Sequence, residues 1–368
     1  MNWFFRLLSG QPKPVPATFN ERVAAFWQWF AGVADRFHGT IDSGSCAALT
    51  EETSSKINEF FPGFAWVFGP GENGTGHSLT LTGEGDIHRQ LLTQHWLAQA
   101  PTLPGWSFYA SRQPGRIKGK VIELDGIRFD PKEIWVTPSI DAERECIDIT
   151  VWHPLWEKLP EGARATITFL FLDESLGEYG TGWWIGTISY GKDQLAGSFP
   201  LEELAEYAGA QQRDRGWKKY PPGQSLVLYS TKNSPRDFPR ADVLTQTTAV
   251  PKLFLEYMNL SGEYPDPFAG FGADYIYVSI DPAFFPAGQE VAKRGEVEDA
   301  IEQALLAHHA GRGIGGALGR ERCYADFLIF DGARSLDLVR QTLLRLQVPP
   351  GTMIEYFARE KRSQRIAL

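Results

Sequence analysis

Gly311-Arg-Gly-Ile-Gly-Gly-Ala-Leu-Gly-Arg-Glu-Arg-Cys-Tyr-Ala-Asp-Phe-Leu-Ile-Phe330 is the stretch on which the fold turns. Its second half, Cys323 to Phe330, is an apolar run of strand length. Its first half, Gly311 to Gly319, is rich in glycine, and two readings of it are open. Upstream, Tyr275 to Ile280 reads as a strand, and Val291 to His308 sets Val297, Ile301, Ala304 and Leu305 on one helical face. Downstream, Ser335 opens a helix to Leu346, and Thr352 to Phe357 reads as a strand. If the glycine segment hides a hairpin strand, the order is β-α-β-β-α-β, a ferredoxin-like arrangement. If it is a loop, its backbone N–H groups are free to meet an anion.

Working outward from there, Pro251 to Met258 reads as a helix and Leu226 to Tyr229 as a strand. Gln211 to Gly223 is polar, charged and proline-bearing, which makes it the expected domain boundary. The chain is thus expected to be α+β in two domains, residues 1–210 and 220–368, as its 368 residues suggest. In the first domain, Val23, Phe26, Trp27, Phe30 and Val33 form the buried face of a helix from Asn20 to Phe37. A second helix covers Thr50 to Phe61. Phe64 to Phe68 and His77 to Thr82 read as a long-looped hairpin, followed by a helix from Asp86 to Gln99 and a strand at Trp106 to Ser111. Strands follow at 120–124 and 127–129 around the turn pair Asp125-Gly126, then at 134–136 and 146–151. Ala163 to Leu176 reads as a helix, Trp183 to Tyr190 as a strand and Leu201 to Ala208 as a short helix. The start, Met1 to Ser9, is apolar but too short for a signal peptide or a membrane span and is expected as a short docked helix. Gln11-Pro-Lys-Pro-Val-Pro16 follows as a stiff linker.

The formal net charge of -9 disfavours general nucleic-acid binding, because phosphate backbones repel such a field. The basic run Arg359, Lys361, Arg362 and Arg365 is expected as a solvated tail. Cys46, Cys146 and Cys323 are odd in number and far apart, which points to a reducing cytoplasm rather than a disulfide framework.

No assembled catalytic motif is present. Gly311, Gly313 and Gly316 satisfy G-x-G-x-x-G, but the string follows a helix and precedes a strand, the reverse of a dinucleotide site. An anion site at Arg312, Gly313, Gly315, Gly316, Arg320 and Arg322 is the alternative use of that segment. His88 and His95 lie two helical turns apart, too far to share an ion, so no metal and no cofactor is expected. Asp173, Glu174 and Glu178 form an acidic cluster, expected as a solvated helix end or as the receiver of an arginine. Trp152, Trp156, Trp183 and Trp184 gather aromatics in one region and are the candidate partner-binding residues.

Three segments resemble a family of uncharacterised bacterial proteins over about residues 20–200: the Phe26-Trp-Gln-Trp-Phe helix, the hairpin with Ala100-Pro-Thr-Leu-Pro-Gly-Trp-Ser-Phe, and Leu172-Asp-Glu-Ser-Leu-Gly-Glu-Tyr with Trp184-Ile-Gly-Thr-Ile. The resemblance implies a bacterial cytosolic setting and brings no activity, cofactor or catalytic residue. The expected function is a non-enzymatic intracellular protein-binding protein, a regulatory adaptor or a toxin-neutralising protein. Two alternatives stand beside it: a hydrolase with a site assembled from dispersed residues, and an anion or nucleotide sensor working through the Gly311–Gly319 loop.

Overall fold

Thr18 starts the first helix by accepting from the Glu21 N–H, while the Glu21 carboxylate accepts from the Thr18 N–H. This reciprocal cap satisfies two backbone donors that the helix leaves unpaired. Behind it, α1 (Phe19–Asp42) buries Val23, Phe26, Trp27, Phe30 and Phe37 and runs five residues past its expected end. The computed structural model describes residues 18–124, 126–231 and 237–368. The apolar start, the proline linker and Asp125 of the expected turn lie outside the described residues.

The chain continues with α2 (Thr50–Phe60), β1 (Ala65–Pro70), β2 (His77–Thr82), α3 (Ile87–Ala98) and β3 (Trp106–Tyr109). β1 and β2 form an antiparallel hairpin, and β3 returns parallel to β2 after the helix. A small hairpin, β4 (Ile122–Leu124) and β5 (Ile127–Phe129), leads to β6 (Trp135–Asp141), β7 (Cys146–Trp152), α4 (Glu161–Trp184) and β8 (Ile185–Tyr190). Here too an antiparallel hairpin is followed by a helix and a strand parallel to its second arm. The chain thus builds a ββαβ unit twice. β9 (Phe199–Pro200) pairs with β6, and α5 (Leu204–Arg215) follows.

The remaining strands make one sheet. They are β10 (Val227–Ser230), β11 (Val243–Thr248), β12 (Asp274–Ile280), β13 (Gly311–Gly319), β14 (Cys323–Ile329), β15 (Met353–Tyr356) and β16 (Ile366–Ala367). α6 (Pro251–Asn259), α7 (Glu290–Leu306) and α8 (Gly332–Arg345) are its helices. The sheet order is β10-β11-β13-β14-β12-β15-β16, with every neighbouring pair antiparallel. The architecture is therefore mixed α+β, with eight α-helices and several separate sheets among the described residues.

Every residue of β14 is buried, because both faces of the sheet are covered. One face packs Ile276, Val278, Ala325 and Phe327 against α7 and α8 through Val297, Ile301, Val339 and Leu343. The other packs Tyr275, Tyr277, Tyr324 and Leu328 into a cluster with Phe26, Phe61, Leu79 and Trp96 from the first ninety residues. Residues 117–217 hold a third cluster of their own, centred on Phe129, Ile149, Trp156 and Phe171.

Of the two readings of Gly311–Gly319 the hairpin strand holds, and it lies inside the sheet between β11 and β14. Its glycines serve close approach: a Cβ at Gly316 would collide with the Glu298 carboxylate, and one at Gly313 would press on Glu302. Trp183 and Trp184 close α4 rather than open a strand, because burial of Gly180, Thr181 and Trp184 overrides the weak helix propensity of this glycine-bearing stretch. β11 was invisible as a strand because Val-Leu-Thr-Gln-Thr-Thr has no apolar run. Ser335 is not a cap. It sits inside α8, where its hydroxyl donates to the Ala310 carbonyl at 2.6 Å.

Candidate functional site

The helix α4 breaks at Gly177, whose φ of 74° lies in the left-handed region. A side chain there would strike the Arg112 carbonyl and the Pro114 ring. The break separates Glu174 from Glu178, so the acidic cluster does not share one helical face. Glu174 pairs with Lys120 at the surface. Glu178 turns inward, and its buried carboxylate accepts from the Thr82 hydroxyl, the Gly85 N–H at 3.0 Å, the Gln90 amide at 2.7 Å and the Arg112 N–H at 3.4 Å. No arginine side chain supplies its charge balance; four dipoles do. These bonds pin α4 of the second ββαβ unit to β2 and α3 of the first.

Beside this junction lies a cleft of about 750 Å³. Its walls include Ile87 and Gln90 of α3, Phe169, Leu170, Asp173 and Trp183 of α4, and the segment from Lys219 to Val227. Phe169 and Leu170 are exposed, so the mouth is apolar. Burial raises the Asp173 pKa, partly offset by the Thr181 hydroxyl beside it. Glu84 is held by Arg112 at 2.9 Å. The cleft is an apolar slot whose charged walls are Glu84 with its partner Arg112, Asp173, Glu178 and Lys219, a shape that suits recognition of a long side chain.

The segment that closes the cleft becomes β10, the outermost strand of the seven-stranded sheet. Among the described residues β10 pairs only with β11, so the backbone N–H and C=O groups on its other side meet no strand among them. Leu226 and Leu228 on this edge are 61% and 69% exposed. Ser225 and Val227, alternating with them, face the cleft. A free sheet edge and an apolar slot are thus continuous.

The residues singled out from sequence are dispersed. Trp156 and Trp184 are buried in the core of residues 117–217. The Trp152 indole donates to the Lys192 carbonyl at 3.0 Å. Only Trp183 reaches the cleft, with its ring 5.5 Å from that of Tyr179. Arg312, Gly313, Gly315 and Gly316 stand on β13, where the strand's hydrogen bonds go to its two neighbours. Arg312 reaches the Gly223 carbonyl, and burial lowers its pKa. Arg320 and Arg322 follow the far end of the strand, about 26 Å from Arg312 along the chain at ~3.3 Å per residue. Arg322 donates to the Gly351 carbonyl at 3.3 Å. The acidic residues Glu298 and Glu302 face the glycines, which does not favour an anion there. Three of the four cations of the basic run near the end are paired: Lys361 with Asp274 and Asp266, Arg362 with Glu263, Arg359 with Glu360.

His88 and His95 do separate structural work. His88 bridges the hydroxyls of Tyr275 at 2.9 Å and Tyr264 at 3.2 Å, and burial pulls its pKa down to about 4. His95 stacks on Phe330 and meets Asn20 and Gln99, and burial lowers its pKa to about 3. Both imidazoles are neutral at pH 7. A second buried node joins β11, β14 and the loop before β11. Arg240, at a left-handed φ of 67°, makes a two-pronged ion pair with Asp326 and donates to Gln246 at 2.6 Å. Its guanidinium lies 4.5–4.9 Å from the rings of Tyr277, Tyr324 and Phe357.

Sequence reasoning missed the edge and the slot because neither is a motif. The one signal was the apolar trio Leu226-Val-Leu228 directly after a proline-bearing polar segment. No protein-family model matches the chain, and neither a curated protein nor a solved structure matches it significantly. Among the described residues, no helix is long and apolar enough to cross a membrane.

Proposed function

We propose that this chain is a non-enzymatic protein-binding protein that takes an extended, basic segment of its partner onto the free edge of β10 and seats one long side chain in the adjoining slot. The observation that carries the reading is the outer edge of β10, which meets no second strand among the described residues and carries the exposed Leu226 and Leu228. The strand is four residues long, and strand addition is the recognition mode that such an edge serves. Asp173 in the slot and the net charge of -9 favour a basic partner. A regulatory adaptor or a toxin-neutralising protein of the cytoplasm would use such a surface, and the three free cysteines fit that compartment.

A displayed library of linear peptides tests this. Binders are expected to alternate apolar and basic residues, and Leu226→Lys with Leu228→Lys is expected to weaken them by about 100-fold. Covering the two leucines removes roughly 100 Å² of apolar surface each from water, about 5 kcal/mol before the cost of ordering the peptide. Recovery of no strand-forming peptide, or equal binding to the double variant, overturns the proposal. The second reading, an enzyme, would rest on Asp173, whose raised pKa is of the kind a general acid needs. Asp173→Asn separates the two: it leaves strand addition in place and removes any such turnover.

We also propose the ferredoxin-like description for residues 274–356. Its support is the strand order β13-β14-β12-β15, antiparallel throughout, with α7 and α8 sharing one face. A two-domain organisation is proposed with it. The boundary expected at residues 211–223 and a grouping by core, residues 117–217 against the rest, predict different fragments in limited proteolysis. Membership of residues 20–200 in the bacterial family is likewise a proposal. Its support is the three sequence segments alone.

A further inference from the structure

We propose that His38, Asp42 and His77 bind one divalent transition-metal ion of the zinc class. His38 and Asp42 lie four residues apart near the end of α1 and so share a face. His77 is the first residue of β2, thirty-five positions beyond Asp42 in the sequence. The fold brings the three together: His38 Nδ1 lies 2.9 Å from one Asp42 oxygen, and His77 Nε2 lies 2.9 Å from the other. One donor atom from each residue falls within 4.8 Å of the others, and the two imidazole centroids are 4.6 Å apart. Nitrogen and oxygen ligands on a tetrahedral zinc, at bonds of ~2.0–2.1 Å, stand roughly 3.3 Å from one another. Small side-chain rotations therefore suffice to admit the ion.

The donor set selects the metal. Two imidazoles and one carboxylate suit zinc, nickel, cobalt or ferrous iron and are a poor match for calcium or magnesium. Asp42 is largely exposed, so a fourth position opens to solvent. The two backbone elements are locked in place. The Trp106 indole donates to the Ala34 carbonyl at 3.2 Å, and the His77 N–H donates to the Gly105 carbonyl at 2.9 Å. The Trp106 ring lies against both imidazoles. Gly105, with φ of 74°, is obligatory here because a side chain would strike the His38 ring. Neutral imidazoles and an ionised carboxylate are the forms that bind a metal.

The site escaped the sequence reading because only the His38-x-x-x-Asp42 spacing was local. The test is titration of the full chain, stripped with EDTA, with Zn²⁺ by calorimetry and with Co²⁺ by visible absorption. One ion per chain is expected, with ligand-field bands for cobalt and a raised melting temperature. His77→Ala and Asp42→Asn are expected to weaken Zn²⁺ binding at least tenfold, while the control pair His308→Ala and His309→Ala leaves it unchanged. If a ligand variant fails to fold, the cobalt bands of the unaltered chain still decide. Absence of those bands, or Zn²⁺ binding that survives His77→Ala, shows a hydrogen-bonded triad only and overturns the proposal.

Discussion

Glu178 offers the sharpest test of how the cleft is built. Its buried carboxylate is the meeting point of four donors from β2, α3 and the segment after β3. Replacing it by alanine leaves those donors without a partner. Gly85, Gln90 and Arg112 all line the cleft, but Gly85 is exposed and Arg112 half-buried, so water can reach their N–H groups, whereas Gln90 and Thr82 are buried. Two buried donors at about 1–3 kcal/mol each, plus the charge-assisted part of the other two bonds, give a loss of roughly 4 kcal/mol. Glu178→Gln should cost less, about 2 kcal/mol. The Thr82 hydroxyl can rotate to accept from the new amide, while Gly85 and Gln90 keep a neutral acceptor in place of a charged one. Urea unfolding followed by tryptophan fluorescence measures both variants, and the m-value shows whether the transition stays two-state. The reasoning is refuted if Glu178→Ala costs less than about 1 kcal/mol, or if the glutamine variant is as damaged as the alanine one.

Arg240→Met should cost about 3–5 kcal/mol, because it strands the Asp326 carboxylate inside the sheet. Adding Asp326→Asn should recover much of that loss, and a double-mutant cycle in urea would show no coupling if the pair is idle. The histidines set a pH dependence. Their folded pKa values, about 4 for His88 and about 3 for His95, lie below the unfolded 6.5. The folded state therefore binds fewer protons, and stability is lost as pH falls from 6.5 toward those values. Each costs about 2 kcal/mol by pH 5. Glu298, raised by burial to about 8, works in the opposite direction and gains stability as it is protonated. Glu298→Gln should remove that opposing slope, so the variant loses about 3–4 kcal/mol between pH 7 and pH 5. A flat stability profile in that variant contradicts the assignment, as would proton NMR titration of either imidazole near pH 6.5.

Legibility in the sequence followed periodicity. α1, α2, α3, β2 and β14 were readable because apolar spacing and strand-length runs are local signals. β11 was not, since its pairing partners on both sides supply what its own composition lacks. The glycine segment was ambiguous for a physical reason: glycine has weak strand propensity, and its role emerges only when Glu298 and Glu302 are seen resting on it. The tryptophans gather in one region of the sequence and part in the fold: Trp156 and Trp184 are core, while Trp183 lines the cleft. The acidic cluster was visible, but its meaning hung on a single left-handed glycine that divides Glu174 from Glu178.

The position of the cleft follows from the doubled ββαβ architecture. Each unit has its helix packed by the strands that flank it, and the slot is walled by residues of both units. The slot exists because α4 of one unit is pulled against α3 of the other, and the link that pulls it is Glu178. The seven-stranded sheet then closes the third side, as its outermost strand arrives by way of Tyr220 to Gly223. Arg312, from the middle of that sheet, holds this arriving segment through the Gly223 carbonyl. A substitution such as Arg312→Leu should therefore loosen the segment and lower peptide affinity at the edge while leaving the sheet's register intact. Increased amide exchange confined to residues 219–228 would show it. Exchange that rises throughout β13 and β14 instead would mean that Arg312 serves the core rather than the site.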